Sequence, residues 1–195
     1  MNERCTAVDP VLLDIPESIA SPRLAIRTPR PGDGPMVYAA VHESLADLRR
    51  FPASMAWALA EPSLESSEKY CRESYANFIA RRDMPFLLVL KESGTLVGQS
   101  GLHRIDWKVP KFEVGFWGRS SYHGQGLVTE GVGAIVNFAL ATLGARRVEA
   151  LCDDANVRSA RVCERLGFAL EGTLRNERVD PGGTLRNTRV YATVR

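Results

Sequence analysis

A mixed α/β or α+β sandwich, with helices packed around one twisted sheet, is predicted for this chain from three observations. Short β-type runs between Phe86 and Trp117 follow one another as a meander. An amphipathic helix comes next, opened by two glycines one residue apart, Gly124 and Gly126. The remainder then reads strand, helix, strand, strand. Interleaving of this kind buries both faces of a central sheet under helices.

The elements follow in order. Residues 1–21 contain Pro10 and Pro16 and little periodicity, and read as an extended arm. Arg23 to Thr28 alternates and reads as the first strand. Pro29 to Pro35 breaks it, with Asp33 placed to cap a helix over Met36 to Leu48. Arg50 to Pro62 carries no clear period. Ser63 starts a second helix that could run to Arg82. Strands are predicted at Phe86–Leu90, Leu96–Arg104 and Phe112–Trp117, the first two joined by a turn at Glu92–Thr95. In the helix after Gly126, Val128, Val132, Ile135, Val136, Ala139 and Leu143 recur at helical spacing, and Gly144 stops it. Arg147–Cys152 is a strand and Val157–Leu166 a short helix. The last two strands meet at the turn Pro181-Gly182-Gly183.

Bulk composition narrows the class. A chain of 195 residues, 45% hydrophobic and 25% charged, suits a single globular domain over 1–195. A net charge of +2 makes no case for nucleic acid or an anionic membrane as partner. No apolar run is long enough to span a bilayer, and the charged start of the chain is unlike a signal peptide. Cys5, Cys71, Cys152 and Cys163 have neither metal-ligand spacing nor disulfide-scaffold density, so reduced thiols in the cytoplasm and no metal are expected.

The chemistry concentrates in two segments. Ser121-Tyr122-His123-Gly124-Gln125-Gly126-Leu127-Val128-Thr129-Glu130 joins a strand to a helix. The two glycines allow a tight turn with exposed N–H groups, and these, with the positive helix end, suit a pyrophosphate. About thirty residues on, Asn156, Ser159, Val162, Leu166, Gly167 and Phe168 form the second segment. Together they resemble the Gcn5-related N-acetyltransferase (GNAT) superfamily, and within it the ribosomal-protein N-acetyltransferases of RimJ/RimL type. The family pattern Q/R-x-x-G-x-G/A is matched at both glycines, with Ser121 replacing the leading residue. The pattern N-x-x-S-x-x-V-x-x-x-L-G-F is matched throughout. Val128-Thr129-Glu130-Gly131 stands where that subfamily has ATEA, and Glu171 to Arg175 also looks like it.

The resemblance implies a GNAT-like twisted mixed sheet flanked by helices, with acetyl-CoA as cosubstrate. It implies coenzyme contacts from the loop residues Gly124, Gln125, Gly126, Leu127 and Thr129. It also implies that the pantetheine arm adds to the strand edge at Phe116 and Trp117. Thr129 could instead bond its own backbone, and Phe116 and Trp117 also suit a core. Asn156 matches the residue whose amide holds the pantetheine arm, but Asn also caps helices well.

Acetyl transfer to an amine needs loss of the amine proton, a donor for the oxyanion, and a fate for the leaving thiolate. For the base, Glu113 occupies the acidic position of the subfamily's EIGYW run and leads, with His103 as its rival. Both residue types are also common as exposed or paired surface groups. Seven residues after Asn156, relatives carry Tyr or Ser as candidate acid, where this chain has Cys163. A thiol can protonate a thiolate, and a buried cysteine can equally pack as a small apolar group. Tyr122 and His123 are read as shaping the loop.

The resemblance implies a protein N-terminal α-amine as acceptor. A small-molecule amine such as an antibiotic or polyamine is the alternative, and a non-catalytic coenzyme A-binding regulator is a third reading. Dimers are common in the family, and the sequence locates no interface.

Overall fold

The computed structural model describes residues 9–195. The start of the expected arm, Cys5 included, therefore lies outside the described residues. The rest of that segment is not a free arm. Pro10–Leu12 forms a 3₁₀ turn, and β1 (Ser18–Ala20) pairs antiparallel with β2 (Leu24–Arg27). Three residues are too few to show alternation, so only the partner strand defines β1.

The order continues α1 (Gly34–Leu48), α2 (Leu64–Ile79), β3 (Met84–Leu90), β4 (Leu96–Asp106), β5 (Lys111–Gly118), α3 (Leu127–Ala141), β6 (Arg147–Asp153), α4 (Val157–Arg165), β7 (Ala169–Val179) and β8 (Leu185–Val194). The strands form one eight-stranded sheet in the order β1-β2-β3-β4-β5-β6-β8-β7. Neighbours are antiparallel except β5 and β6, which are parallel because α3 carries the chain across between them.

Each face of the sheet has its own core. Leu87 and Val89 of β3 and Trp117 of β5 pack with Val37, Ala40 and Val41 of α1 and Cys71 of α2. On the other face Phe86, Leu88, Leu102, Phe112 and Val114 meet Val132, Ile135, Val136 and Ala139 of α3. The predicted stripe of α3 is therefore the buried one. No helix among the described residues is long and apolar enough to cross a membrane.

Local signals explain most boundaries. Ser63 caps α2 with a reciprocal capping box to Ser66. α2 stops at Ile79 rather than Arg82, and Arg81 adopts a positive φ of 56° just beyond it. Asp33 stands at the N-cap of α1 but makes no cap hydrogen bond. Its carboxylate instead takes both Arg27 guanidinium nitrogens, at 2.6 and 2.7 Å. A bidentate charged pair outweighs one backbone N–H.

Candidate active site

The site begins where β5 and β6 part. They pair at Lys111↔Arg147, Phe112↔Val148 and Glu113↔Glu149, and the register ends there. β5 continues to Gly118 along β4, and β6 continues to Asp153 along β8. The sheet thus opens at the carboxyl ends of its two parallel strands. The carbonyls of Gly115 and Trp117 face β4: the Ser100 hydroxyl donates to the first at 2.9 Å, and Gly98 packs against the second. Backbone groups alternate along a strand, so those of Val114 and Phe116 face the gap. An unpaired strand edge of this kind accepts an extended amide chain.

Beside the gap lies the glycine loop. Gly124 and Gly126 take positive φ values of 78° and 74°, and Gly126 is the N-cap of α3 with no side-chain cap. The N–H groups of Gly124 to Thr129 have no acceptor among the described residues. Six unengaged donors at and just before a helix N-terminus suit an anion. The loop is clamped from two sides. On α1, Glu43 accepts the Ser121 N–H at 3.0 Å and the Arg119 Nε at 2.6 Å, while Ser44 accepts the Ser120 N–H. Asp47 accepts the Ser120 hydroxyl at 2.7 Å. The Ser121 hydrogen bonds and the Arg119 charge hold Glu43 below the ordinary carboxylate range. On the far side Arg23 donates to the Gln125 carbonyl and to Glu130, and Ser21 donates to Glu130. Burial pushes the Glu130 carboxyl up, but those hydrogen bonds outweigh it and hold it low.

A cavity of about 680 Å³ runs from α1 and α2, across the sheet face, into the gap. It brings His103, Glu113, Phe116, Trp117 and Asn156 to one wall system. Tyr70 of α2 and the Trp117 indole both donate to Gln99 Oε1, at 3.1 and 3.3 Å. Indole N–H can only donate, which fixes the amide orientation and leaves Gln99 Nε2 a buried donor without a partner among the described residues. Burial pushes the Tyr70 phenol up to about 12, so it stays a donor at neutral pH. Trp57 lies 6.2 Å from Trp117 between ring centroids, at the cavity mouth.

The candidate bases differ in their partners. Glu113 is ion-paired to Arg104. Arg104 has a positive φ of 46° at a β-bulge, which swings it onto the face of its neighbour. His103 Nδ1 lies 2.7 Å from Asp83 Oδ1, and Nε2 has no partner among the described residues.

The remaining candidates divide. Asn156 caps α4 by accepting the Ser159 N–H at 3.1 Å, and its Nδ2 has no partner among the described residues. Capping and a ligand contact are compatible, because they use different atoms of one amide. Cys163 is 2% exposed in the core under α4 and does not line the cavity. Burial pushes its thiol up to about 12. The placement favours the packing role over the acid. Leu127 is buried, so only its backbone faces the loop. Thr129 lies on an open groove along the flank of α3, outside the cavity. The helix α1 carboxylates, Gln99 and Asp83 escaped the sequence reading. Glu43 and Asp47 are four apart on one helix, which was a usable signal; Asp83 had none.

The model of the acetyltransferase (GNAT) domain matches residues 23–169. The chain belongs to the GNAT acetyltransferase family. Relatives include YdaF of Bacillus subtilis (strain 168), 32% identical over 83 residues, which are 43% of this chain and 45% of the relative. The ribosomal-protein-serine acetyltransferase of Escherichia coli (strain K12) is 26% identical over 116 residues, 58% of this chain and 65% of the relative. The chain spans about half the length of the curated relatives it matches first. Among solved structures, RimL, a ribosomal L7/L12 α-N-protein acetyltransferase in complex with coenzyme A, superposes with a TM-score of 0.82 at 21% identity. That match covers 91% of this GNAT chain and 98% of RimL. At that identity the likeness is one of fold.

Proposed function

We propose that this GNAT chain, as one domain over residues 1–195, is an acetyl-CoA-dependent N-acetyltransferase. It passes acetyl directly to a primary amine, a protein N-terminal α-amine, in the cytoplasm. One observation carries the reading: a strand edge at Val114 and Phe116, open on the β6 side, lies beside six unengaged N–H groups at the start of α3. An extended amide arm ending in a pyrophosphate needs both features side by side.

The residues present fit that ligand. Gly124 to Thr129 hold phosphate oxygens, the β5 edge holds the amide arm, and Asn156 Nδ2 supplies a further donor. When bound, acetyl-CoA supplies the acetyl group as an activated thioester. The cavity walls then exclude water and orient the amine against it. The α-amine acceptor is supported by the likeness to RimL, an α-N-protein acetyltransferase, and a protein acceptor by the Escherichia coli relative, a ribosomal-protein-serine acetyltransferase. An α-amine also has a pKa of about 7.7–8.0 against about 10.4 for lysine, so less proton removal is needed.

Thiol release from acetyl-CoA tests the reading, with a panel of short peptides against the same peptides carrying a blocked N-terminus, and against polyamines. Release that depends on a free N-terminal amine supports it. Binding of acetyl-CoA without release on any amine leaves the regulatory reading instead.

A further inference from the structure

Four charged or titratable side chains form a row across one face of the sheet. β3 and β4 pair at Met84↔Leu102, which sets Asp83 beside His103 one step further along. His103 pairs in turn with Glu113, and Glu113 with Glu149. Three of these positions are occupied in ways that differ. Glu113 is ion-paired to Arg104. Glu149 takes Arg147 at 2.8 Å and Lys111 at 3.3 Å. Asp83 has the His103 imidazole as its partner, at 2.7 Å, and no other among the described residues.

Two glycines make room for the imidazole on the sheet face. A Cβ on Gly101 would come 2.9 Å from His103 Nε2, and one on Gly115 would come 3.3 Å from it. Gly115 is the first residue on this face beyond the last β5–β6 pair. Nε2 therefore lies over Gly101 and Gly115, beside the start of the gap; His103 lines the cavity, and Nε2 has no hydrogen-bond partner among the described residues.

We propose that Asp83 and His103 form the proton-accepting dyad of this site. The dyad rests on the acetyltransferase reading. Asp83 is the positioning residue: its carboxylate accepts the Nδ1–H of His103, which leaves the Nε2 lone pair facing the cavity. His103 is the general base. A proton leaves the acceptor's ammonium, the N–H bond breaks and an Nε2–H bond forms. The freed nitrogen lone pair forms the C–N bond as the thioester C–S bond breaks. The second nitrogen proton goes to the departing thiolate, giving the free thiol, and His103 returns its proton to solvent. Glu113, already neutralised by Arg104, orients that arginine and does not take the proton. The groups facing the imidazole are Asp83 from the turn before β3, Arg104 and Glu113 from β4 and β5, and Tyr70 from α2 across the cavity.

The first test needs no turnover. Long-range nitrogen–proton correlation spectra of the imidazoles at pH 8, with His103 assigned by comparison with His103→Gln, report which nitrogen carries the proton. The dyad requires Nδ1–H and a bare Nε2 at His103, and loss of that fixed pattern in Asp83→Ala. A proton on Nε2 in the parent protein overturns it. The second test is kinetic. Asp83→Ala should lower kcat roughly 10–100-fold, the usual worth of a partner that orients an imidazole. It should also move the acidic limb of the pH–rate profile, leave KM for acetyl-CoA unchanged, and be partly rescued in Asp83→Glu. A parental kcat and profile in Asp83→Ala also overturn the dyad. If the parent protein releases no thiol on any amine, the acetyltransferase reading fails, and the tautomer result stands independently of it.

Discussion

Glu113 of β5 lies opposite Glu149 of β6 at the last position where these two parallel strands are in register. Toward the strand amino ends the sheet is closed, and there Lys111 and Arg147 both pair with Glu149. Toward the carboxyl ends it is open, with the glycine loop on one side and the α4 cap on the other.

Gly126 offers the sharpest test of the loop. It holds φ at 74°, and the nearest group to an added Cβ is the Arg23 guanidinium at 3.7 Å. Gly126→Val should therefore fold with a conformational cost of about 1–3 kcal/mol and lose acetyl-CoA binding. Gly144 is the control, with φ of 68° and nothing within 4 Å. Gly144→Val should lose comparable stability while calorimetric affinity for acetyl-CoA is retained.

Asn156 can be split by atom. Asn156→Asp keeps the oxygen that caps α4 and removes the Nδ2 donor. Affinity for acetyl-CoA should fall by about 1–3 kcal/mol, with Tm unchanged or raised. Asn156→Ala removes both functions and should add a stability loss of about 0.5–2 kcal/mol. Equal affinity in all three proteins would leave Asn156 a cap alone.

Glu113→Gln and His103→Gln separate the two bases. His103→Gln should lose roughly 10²–10⁴-fold in rate, the usual worth of a positioned base. Glu113→Gln should lose less than about tenfold, since it removes an already neutralised charge. The reverse ranking would return the proton to Glu113.

Cys163 should be silent in catalysis. Its thiol is buried and pushed up to about 12. Native alkylation at pH 8, read by mass spectrometry on the peptide Val162–Arg165, should leave it unmodified until denaturant is added. Cys163→Ala should turn over at the parental rate.

Asp153 gives a pH dependence of stability. It is 2% exposed, and Arg186 grips it with two hydrogen bonds, at 2.6 and 2.9 Å. Burial raises its carboxyl, but Arg186 and the Ala155 N–H outweigh that and hold it below the ordinary range. A depressed folded-state value contributes stability above the unfolded value of about 3.9, and that contribution is lost as pH falls through the folded one. Arg186→Met should therefore lower Tm at pH 7, and the gap to the parent protein should narrow as the medium is acidified below pH 4.

Legibility from sequence followed the range of the interactions involved. α3 was readable because its stripe of Val132, Ile135, Val136 and Ala139 is written locally, at helical spacing. The loop at Gly124 and Gly126 was readable because positive φ leaves a chemical mark. β1 was not, since its three residues are defined by Arg27, Ile26 and Ala25 across a turn. Residues 50–62 stayed ambiguous because their 3₁₀ turn, Ala56–Leu59, is held by the Arg49 guanidinium on the carbonyls of Ala58 and Leu59. Asp33 was read as a cap because its neighbours in sequence suit one, whereas Arg27 claims it in space. Asp83 had no local signature at all, and only the Met84↔Leu102 register sets it against His103.

Backbone amide spectra recorded during titration with acetyl-CoA decide whether the coenzyme enters the sheet between β5 and β6. The amides of Val114, Phe116 and Gly124 to Thr129, together with the side-chain amide of Asn156, should shift in concert and saturate at one concentration. Shifts confined to the open groove on the flank of α3, with Phe116 unmoved at saturation, would contradict it.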